Sequence, residues 1–378
     1  MLRLRATWMR GGTSKCWLFD GEQLAAVGAT PDRVLAAAFG AADPRQLDGV
    51  GGATSTTSKA AIVHRSTDPT RDVDYLFGQV GIGVDQVEWG SNCGNCATAI
   101  GLYAVQSGLV MPDSDRTTVR MRNLNTGALL ATTIATPGGI VPETGEAMVP
   151  GVEGGGVPVE LVFENPAGTS TGHLLPTLHA VDRLAGPNGE VIATLIDAGA
   201  PAALLDGAGM AEGSLADVAA HIPELTMLRR TAALAMGLAE PTDPISYAIP
   251  KIGILAAPTD YMTGDGRVIA GSDYDLAVRM VSMHAPHPAI GLTSAVAIAA
   301  AAQVPGSVAA RLSAAEPGGP LRLGTLSGVV TVRPESDATG RLRSVAMARA
   351  ARRIAVAEVF VPLDENADTA RGMAFLAS

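Results

Sequence analysis

Apolar positions along this chain recur at two different periods. Alternation close to two marks Leu2–Met9, Cys16–Phe19, Lys59–His64 and Val73–Val80 as strands. Thr30-Pro31 places an N-cap before a proline at the first helical position and predicts a helix through Phe39. The Gly/Ser/Thr-rich stretch Asp43–Ser58 reads as a loop. A helix runs from Cys93 to about Gln106 and stops at Gly108. Thr117–Asn123, Leu129–Ala135 and Val159–Glu164 continue a strand-rich first half.

A second strand series begins with Val191–Ile196 and Ala202–Leu205. Helical segments run from Ser214 to about Met236, interrupted at Pro223. Lys251–Ala256 and Leu276–Met283 read as extended, Thr293–Gln303 as a helix, and Gly324–Val332, Leu342–Met347 and Ile354–Val361 as strands. The Gly/Pro-rich stretches Pro150–Pro158 and Gly186–Gly189 mark linkers or long turns.

Two helices lack a polar face. The run after Cys93 and the run after Thr293 carry no charge over about three turns, and a helix without a polar side is buried all round. Each is flanked by many short strands. The expected architecture is therefore α+β: two similar domains, each a mixed β-sheet or barrel wrapped around one central buried helix. The domains are set at residues 1–187 and 188–378, with the last strand free to cross over to the first. A chain of 378 residues is long for one core, which agrees with two domains.

Composition narrows the function classes. Hydrophobic residues make up 47% and charged residues 17%, which suits a well-buried protein and not a disordered one. The net charge is −10, with no Lys/Arg cluster, so neither nucleic acid nor an anionic membrane is an expected partner. An anionic small molecule remains compatible, because a few local cations suffice. Met1–Arg10 lacks the apolar core of a signal peptide, and no stretch reads as a membrane span. The three cysteines, Cys16, Cys93 and Cys96, make no disulfide framework. A reducing cytoplasm is the expected compartment.

The richest chemistry lies in Trp89-Gly-Ser-Asn-Cys-Gly-Asn-Cys96. Cys93 stands at a helix start, where unpaired N–H groups and the helix dipole lower a thiol pKa and attract an anion. Cys93 and Cys96 form a C-x-x-C, so a dithiol redox protein is one reading. Cys96, inside the helix, reads as packing. No second C-x-x-C or paired histidines complete a zinc site, and no metal is expected. Lys59 opens an apolar strand. It reads either as a lysine snorkelling at a strand edge or as a partly desolvated general base. Arg10-Gly-Gly-Thr-Ser-Lys15 is a donor-rich turn lacking the spacing of a phosphate-binding loop. His287 stands shortly before the second helix, where Gly291-Leu-Thr-Ser294 occupies the place that Asn92-Cys-Gly-Asn95 holds before the first.

Together these segments resemble the PrpF family, of the diaminopimelate-epimerase-like fold. The matching pieces are Met9–Lys15, Gly51-Gly52 through Lys59, Asn92–Asn95, His173–Thr177, Ile196–Pro201, Pro250-Lys251 and Arg279 through Thr293, in order along nearly the whole chain. The resemblance implies a cofactor-independent isomerase or tautomerase of unsaturated di- or tricarboxylic acids, with its active site in the interdomain cleft. The reaction implied is a 1,3-allylic proton shift or a cis–trans isomerisation. The family pairs a lysine with a cysteine thirty-four positions later, the spacing of Lys59 and Cys93. Lys59 is thereby implied as base and Cys93 as its acid–base partner. Arg10, Thr13, Ser14, Lys15, Ser58, Asn92, Gly94, Asn95, Arg279, His287, Thr293 and Ser294 are implied to bind substrate. The implied partner is a small unsaturated acid, and a homodimer is open to it.

The departures are specific. Diaminopimelate epimerase has a second cysteine where this chain has Thr293 or Ser294, which counts against the alternative of an amino-acid racemase. Cys16 follows Lys15 where the family usually has glycine, and Leu178-His179 replace the usual Gly-Asn. A silent binding protein that retained the cleft is a further alternative.

Overall fold

The computed structural model describes residues 1–90, 92–207, 215–247, 249–283, 285–316 and 318–363. Ser91, Ser214 and His284 of the stretches read above lie outside the described residues. Packing divides the chain into two units. The first is Met1–Leu161 together with the chain from Arg349 on, and the second is Val162–Ala348.

The first unit carries β1 (Leu2–Gly11), β2 (Ser14–Asp20), α1 (Gly21–Ala25), α2 (Pro31–Phe39), β3 (Lys59–Arg65), β4 (Val73–Val80), β5 (Val87–Glu88), α3 (Gly94–Gln106), β6 (Arg116–Asn123) and β7 (Leu129–Ala135). β8 (Val157–Glu164) passes from the first unit into the second. The second unit continues with β9 (Asp182–Gly186), β10 (Gly189–Ala198), β11 (Ala200–Asp206), α4 (Leu215–Ala220), α5 (Ile222–Ala235), β12 (Lys251–Ala256), β13 (Tyr261–Met262) and β14 (Val268–Ile269). It ends with β15 (Leu276–Ser282), β16 (Ala285–Pro286), α6 (Leu292–Ala302), α7 (Val308–Leu312), β17 (Leu321–Thr325) and β18 (Gly328–Ser336). β19 (Leu342–Val361) returns the chain to the first unit.

In the first unit, β1 pairs antiparallel with β2, β2 parallel with β3, and β3 antiparallel with β4. β4 then pairs parallel with β6, and β6 antiparallel with β7. The chain from Ala351 to Val361 lies antiparallel along β1, from Gly11 back to Leu2. α3 packs against β1, β2, β3, β6 and β7. Every residue from Gly94 to Val105 is buried, as a helix with no polar face requires. A separate apolar cluster lies between α2 and the strands, with Phe19, Leu35, Phe39, Ile62 and Val359 at its centre.

The second unit repeats the scheme with different strands. β9, β10, β11, β12, β15, β17 and β18 follow one another, parallel at β11–β12 and β15–β17 and antiparallel elsewhere. α6 packs on β10, β11, β18 and α7. Its residues from Leu292 to Ala301 are all buried.

Several sequence expectations need adjusting. The interruption expected at Pro223 falls at His221, between α4 and α5, and Pro223 lies in the first turn of α5, where its missing N–H costs nothing. Gly186 and Gly189 face each other across a hairpin that joins β9 to β10, so this stretch is a tight turn and not a linker. Gly324–Val332 is a hairpin of two strands. The two strands expected after residue 341 are one strand of 20 residues. The domain boundary, placed at 187/188 from the sequence, compares with a packing division at 161/162 and 348/349.

Candidate active site

Cys93 is the N-cap of α3, with extended backbone at φ −123° and ψ 102°, and no side chain caps the helix. The first-turn N–H groups therefore have no partner within the helix, and they collect at its positive end. Three thiols meet here. Contact with Cys96, then burial, push the Cys93 thiol up, and the charge of Lys59 opposes them. Burial pushes Cys96 up as well, helped by contact with Cys16. The helix start was expected to lower the Cys93 thiol. Here the neighbouring sulfur and desolvation push it the other way, toward the protonated form.

Lys59 is the first residue of β3 and is only 9% exposed. Antiparallel register sets it opposite Gln79 on β4, whose Oε1 accepts from Nζ at 2.5 Å. Gln79 Nε2 in turn donates to the carbonyl of Ser58 at 2.9 Å. The ammonium lies 5.1 Å from the centre of the Phe77 ring. Lys59 is thus held in one place, and its charge reaches both Cys93 and Cys96. Ser58 stands behind it: its hydroxyl is fully buried and donates to Gln46 Oε1 at 2.6 Å. That bond ties the 43–58 loop to the strand and leaves Ser58 in the frame of the site.

The β1–β2 turn lies directly on the start of α3. At Gly11 a Cβ would stand 1.9 Å from the main-chain oxygen of Asn95, and at Gly12 one would stand 2.1 Å from Asn95 Oδ1. Gly12 also has φ +50°, so both space and backbone demand glycine. Asn95 Nδ2 donates to Thr13 Oγ1 at 3.0 Å, and its Oδ1 accepts from Arg349 Nη2 at 3.2 Å. A guanidinium cannot accept, so this network assigns the orientation of the amide. Arg10 spends its donors on the carbonyls of Gly12, Gly154 and Gly155, at 3.3, 3.2 and 2.8 Å. Ser14 is buried, and Lys15 sits 4.5 Å over the Trp8 ring, which stacks on Trp17. Asn92 Oδ1 accepts from the Tyr75 hydroxyl at 2.9 Å, while its Nδ2 is buried without a partner among the described residues. Burial holds Tyr75 far above the usual phenol range, so it remains a donor.

Arg349 is the functional candidate that sequence reading missed. It falls in the residues 348–353 left between two expected strands. The usable signal was the alternation Val345, Met347, Arg349, Ala351, all buried, which turns this arginine inward.

The second unit holds the other candidates. Gly291 is the N-cap of α6, and Thr293 and Ser294 are buried in its first turn. Among the described residues neither hydroxyl makes a hydrogen bond. Arg279, on β15, is buried over the Tyr261 ring at 5.0 Å. Its Nη1 donates to the carbonyls of Val278 and Gly324, while Nε and Nη2 have no partner. His287 Nδ1 accepts from the amide of Ala289 at 3.0 Å, which in the neutral ring leaves the proton on Nε2. Among the described residues no group of three or more His, Cys, Asp or Glu side chains could hold a metal ion, and no helix is long and apolar enough to cross a membrane.

Comparison with known proteins shows the family and the fold of this chain. The family model described as PrpF protein matches residues 1–362. A (4E)-oxalomesaconate Delta-isomerase of Novosphingobium sp. (strain KA1) is 36% identical over 362 residues, covering 94% of this chain and 96% of its own. The crystal structure of a methylitaconate-delta-isomerase superposes with a TM-score of 0.80 at 30% identity, covering 95% of this chain and 96% of that one. A probable proline racemase from Agrobacterium radiobacter K84 matches with a TM-score of 0.56 at 14% identity, over 98% of this chain and 96% of that one, and shows the shared epimerase-like fold alone.

Proposed function

The chain belongs to the PrpF family and is an isomerase, and from that premise we propose that it moves a proton along an unsaturated di- or tricarboxylic acid without a cofactor. Lys59 is the base and Cys93 the acid–base partner. The observation that carries this reading is the pairing of a buried, clamped lysine with a cysteine at an uncapped helix start.

The chemistry follows from the substrate class. Removing a proton α or γ to a conjugated carboxylate leaves an allylic, dienolate-like anion. Lys59 takes the proton on Nζ, whose position is fixed by its hydrogen bond to Gln79 Oε1. Charge then spreads over the carboxylate and the three-carbon framework. Fixed donors stabilise it better than water, because they need no reorganisation at the moment of reaction. The first-turn N–H groups of α3 and the unpartnered Asn92 Nδ2 are such donors. Cys93 delivers a proton at the other end of the allylic system, for which a raised thiol pKa is suited. The same anion, protonated after rotation about the loosened bond, gives a cis–trans isomer.

Carboxylate binding completes the proposal. Arg10 and Arg349 are buried cations of the first unit, and among the described residues neither pairs with a carboxylate. Their field favours an anion. A further carboxylate-binding set is proposed at the start of α6, with Thr293 and Ser294 and the free N–H groups of that turn, and Arg279 and His287 as polar support.

A panel of unsaturated di- and tricarboxylic acids followed by proton NMR in D2O tests the proposal. Isomerisation and solvent deuterium incorporation are expected with at least one acid. Lys59→Met and Cys93→Ala should each lose about a thousandfold in both, within the usual range for general acid–base groups. Either variant retaining both activities would sink the assignment.

A further inference from the structure

Arg349 is 5% exposed, and among the described residues its side chain donates to Asn95 alone, with Nε buried and unpartnered. Burial, and with it the charge of another cation, Arg10, pushes it down to about 10. Arg10 is itself pushed down, by burial and by Arg352. Two buried guanidiniums side by side with no carboxylate are costly to a fold. The cost makes sense if a negative charge arrives with the ligand.

We propose that Arg349 is a positioning residue for substrate carboxylate binding, acting through Asn95 and through a charge that stays uncompensated until the anion binds. This rests on the reading of the site given above. Asn95 is the second residue of α3, two after Cys93. By accepting from Arg349 it turns Nδ2 to Thr13, and so locks the β1–β2 turn onto the helix start. The guanidinium acts at the same place as the helix dipole and with the same sign, so it adds to the pull on an anion. The predicted effect grows with ligand charge: tricarboxylates depend on Arg349 more than dicarboxylates do.

Citrate, as a saturated tricarboxylate probe, tests this by thermal shift at constant ionic strength, without turnover. The wild-type protein is expected to gain Tm with citrate, and Arg349→Gln to lose most of that gain. With an accepted substrate, Arg349→Gln should raise KM about ten- to a hundredfold, the span of a charge-assisted contact, with a smaller change in kcat. Arg349→Lys should recover part of the KM, because charge is kept and the fork is lost. A purely structural arginine would instead lower Tm and kcat together and leave the citrate shift and the tricarboxylate-over-dicarboxylate ratio unchanged. That result overturns the proposal.

Asn95→Asp guards against a variant that fails to fold. It sets a carboxylate beside Arg349, so it should raise the Tm of the free protein and abolish the citrate shift. Unchanged Tm with an intact shift also overturns the proposal. Loss of the role for Arg349 while Lys59→Met remains inactive leaves the proton-shift reading of the site standing. An active Lys59→Met removes Lys59 as the base, and with it the reading of the site on which this inference rests.

Discussion

The two central helices are nearly the same object in sequence and different objects in space. α3 and α6 are both uncharged, both buried all round and both without a side-chain cap. Around the start of α3 stand a thiol, a clamped lysine and two buried arginines. The start of α6 carries two hydroxyls, Thr293 and Ser294, in place of the thiol. The comparison teaches that the helix supplies only the common part, a set of unpaired N–H groups. Proton chemistry belongs to whatever the neighbouring strands deliver to that end. A racemase needs two acid–base groups, and a 1,3-proton shift is served by the pair proposed around α3.

The sharpest way to break this comparison is to strip each end in turn. Lys59→Met or Cys93→Ala should lower turnover about a thousandfold, whereas Thr293→Ala or Ser294→Ala should cost about tenfold and mainly through KM, as for a lost neutral hydrogen bond. Deuterium incorporation reads the difference directly. Equal losses at the two ends would revive two-base racemisation.

A smaller effect separates the helix starts by shape. Gly12→Ala drives a methyl into Asn95 and Arg349 at a positive φ, and should cost about 1–3 kcal/mol of stability along with the citrate response. At Gly291 a methyl meets only Ser294 Oγ, at 3.6 Å, so Gly291→Ala should cost less than about 1 kcal/mol. Chemical denaturation of both variants checks the contrast.

The smallest expected effect concerns the thiol. A raised pKa means less thiolate at any given pH, so alkylation of Cys93 by iodoacetamide should be slow at pH 7.5 and still rising at about pH 9, beyond the ordinary thiol value near 8.5. Cys93→Ala supplies the background rate. A profile that levels off near pH 7 would show that the helix dipole wins after all, and Cys93 would then act as a thiolate base.

Much of the fold was legible because it rests on local rules. The Thr30-Pro31 start of α2, the extents of β4, β7 and β12 and the two buried helices follow from periodicity, capping and turn chemistry within a few residues. The single strand β19 was not legible, since Ala348–Arg353 breaks the apolar run while its pairing with β1 does not depend on side-chain polarity. For the same reason the packing division was hidden. The strand that completes the first unit comes from the other end of the chain. Of the site, the Lys59–Cys93 spacing was readable as a resemblance, whereas Ser58 and Arg10 proved to be occupied within the frame.

By itself the sequence determined the elements, the two uncapped helix starts and the residue types able to move a proton. These depend on neighbours along the chain. Tertiary structure alone decided that the Cys93 thiol is pushed up, since Cys96 lies against it and burial desolvates it. It alone decided that Arg349 faces Asn95 across 254 positions of sequence. Desolvation and charge act through space, and no local pattern records which distant strand closes around a helix.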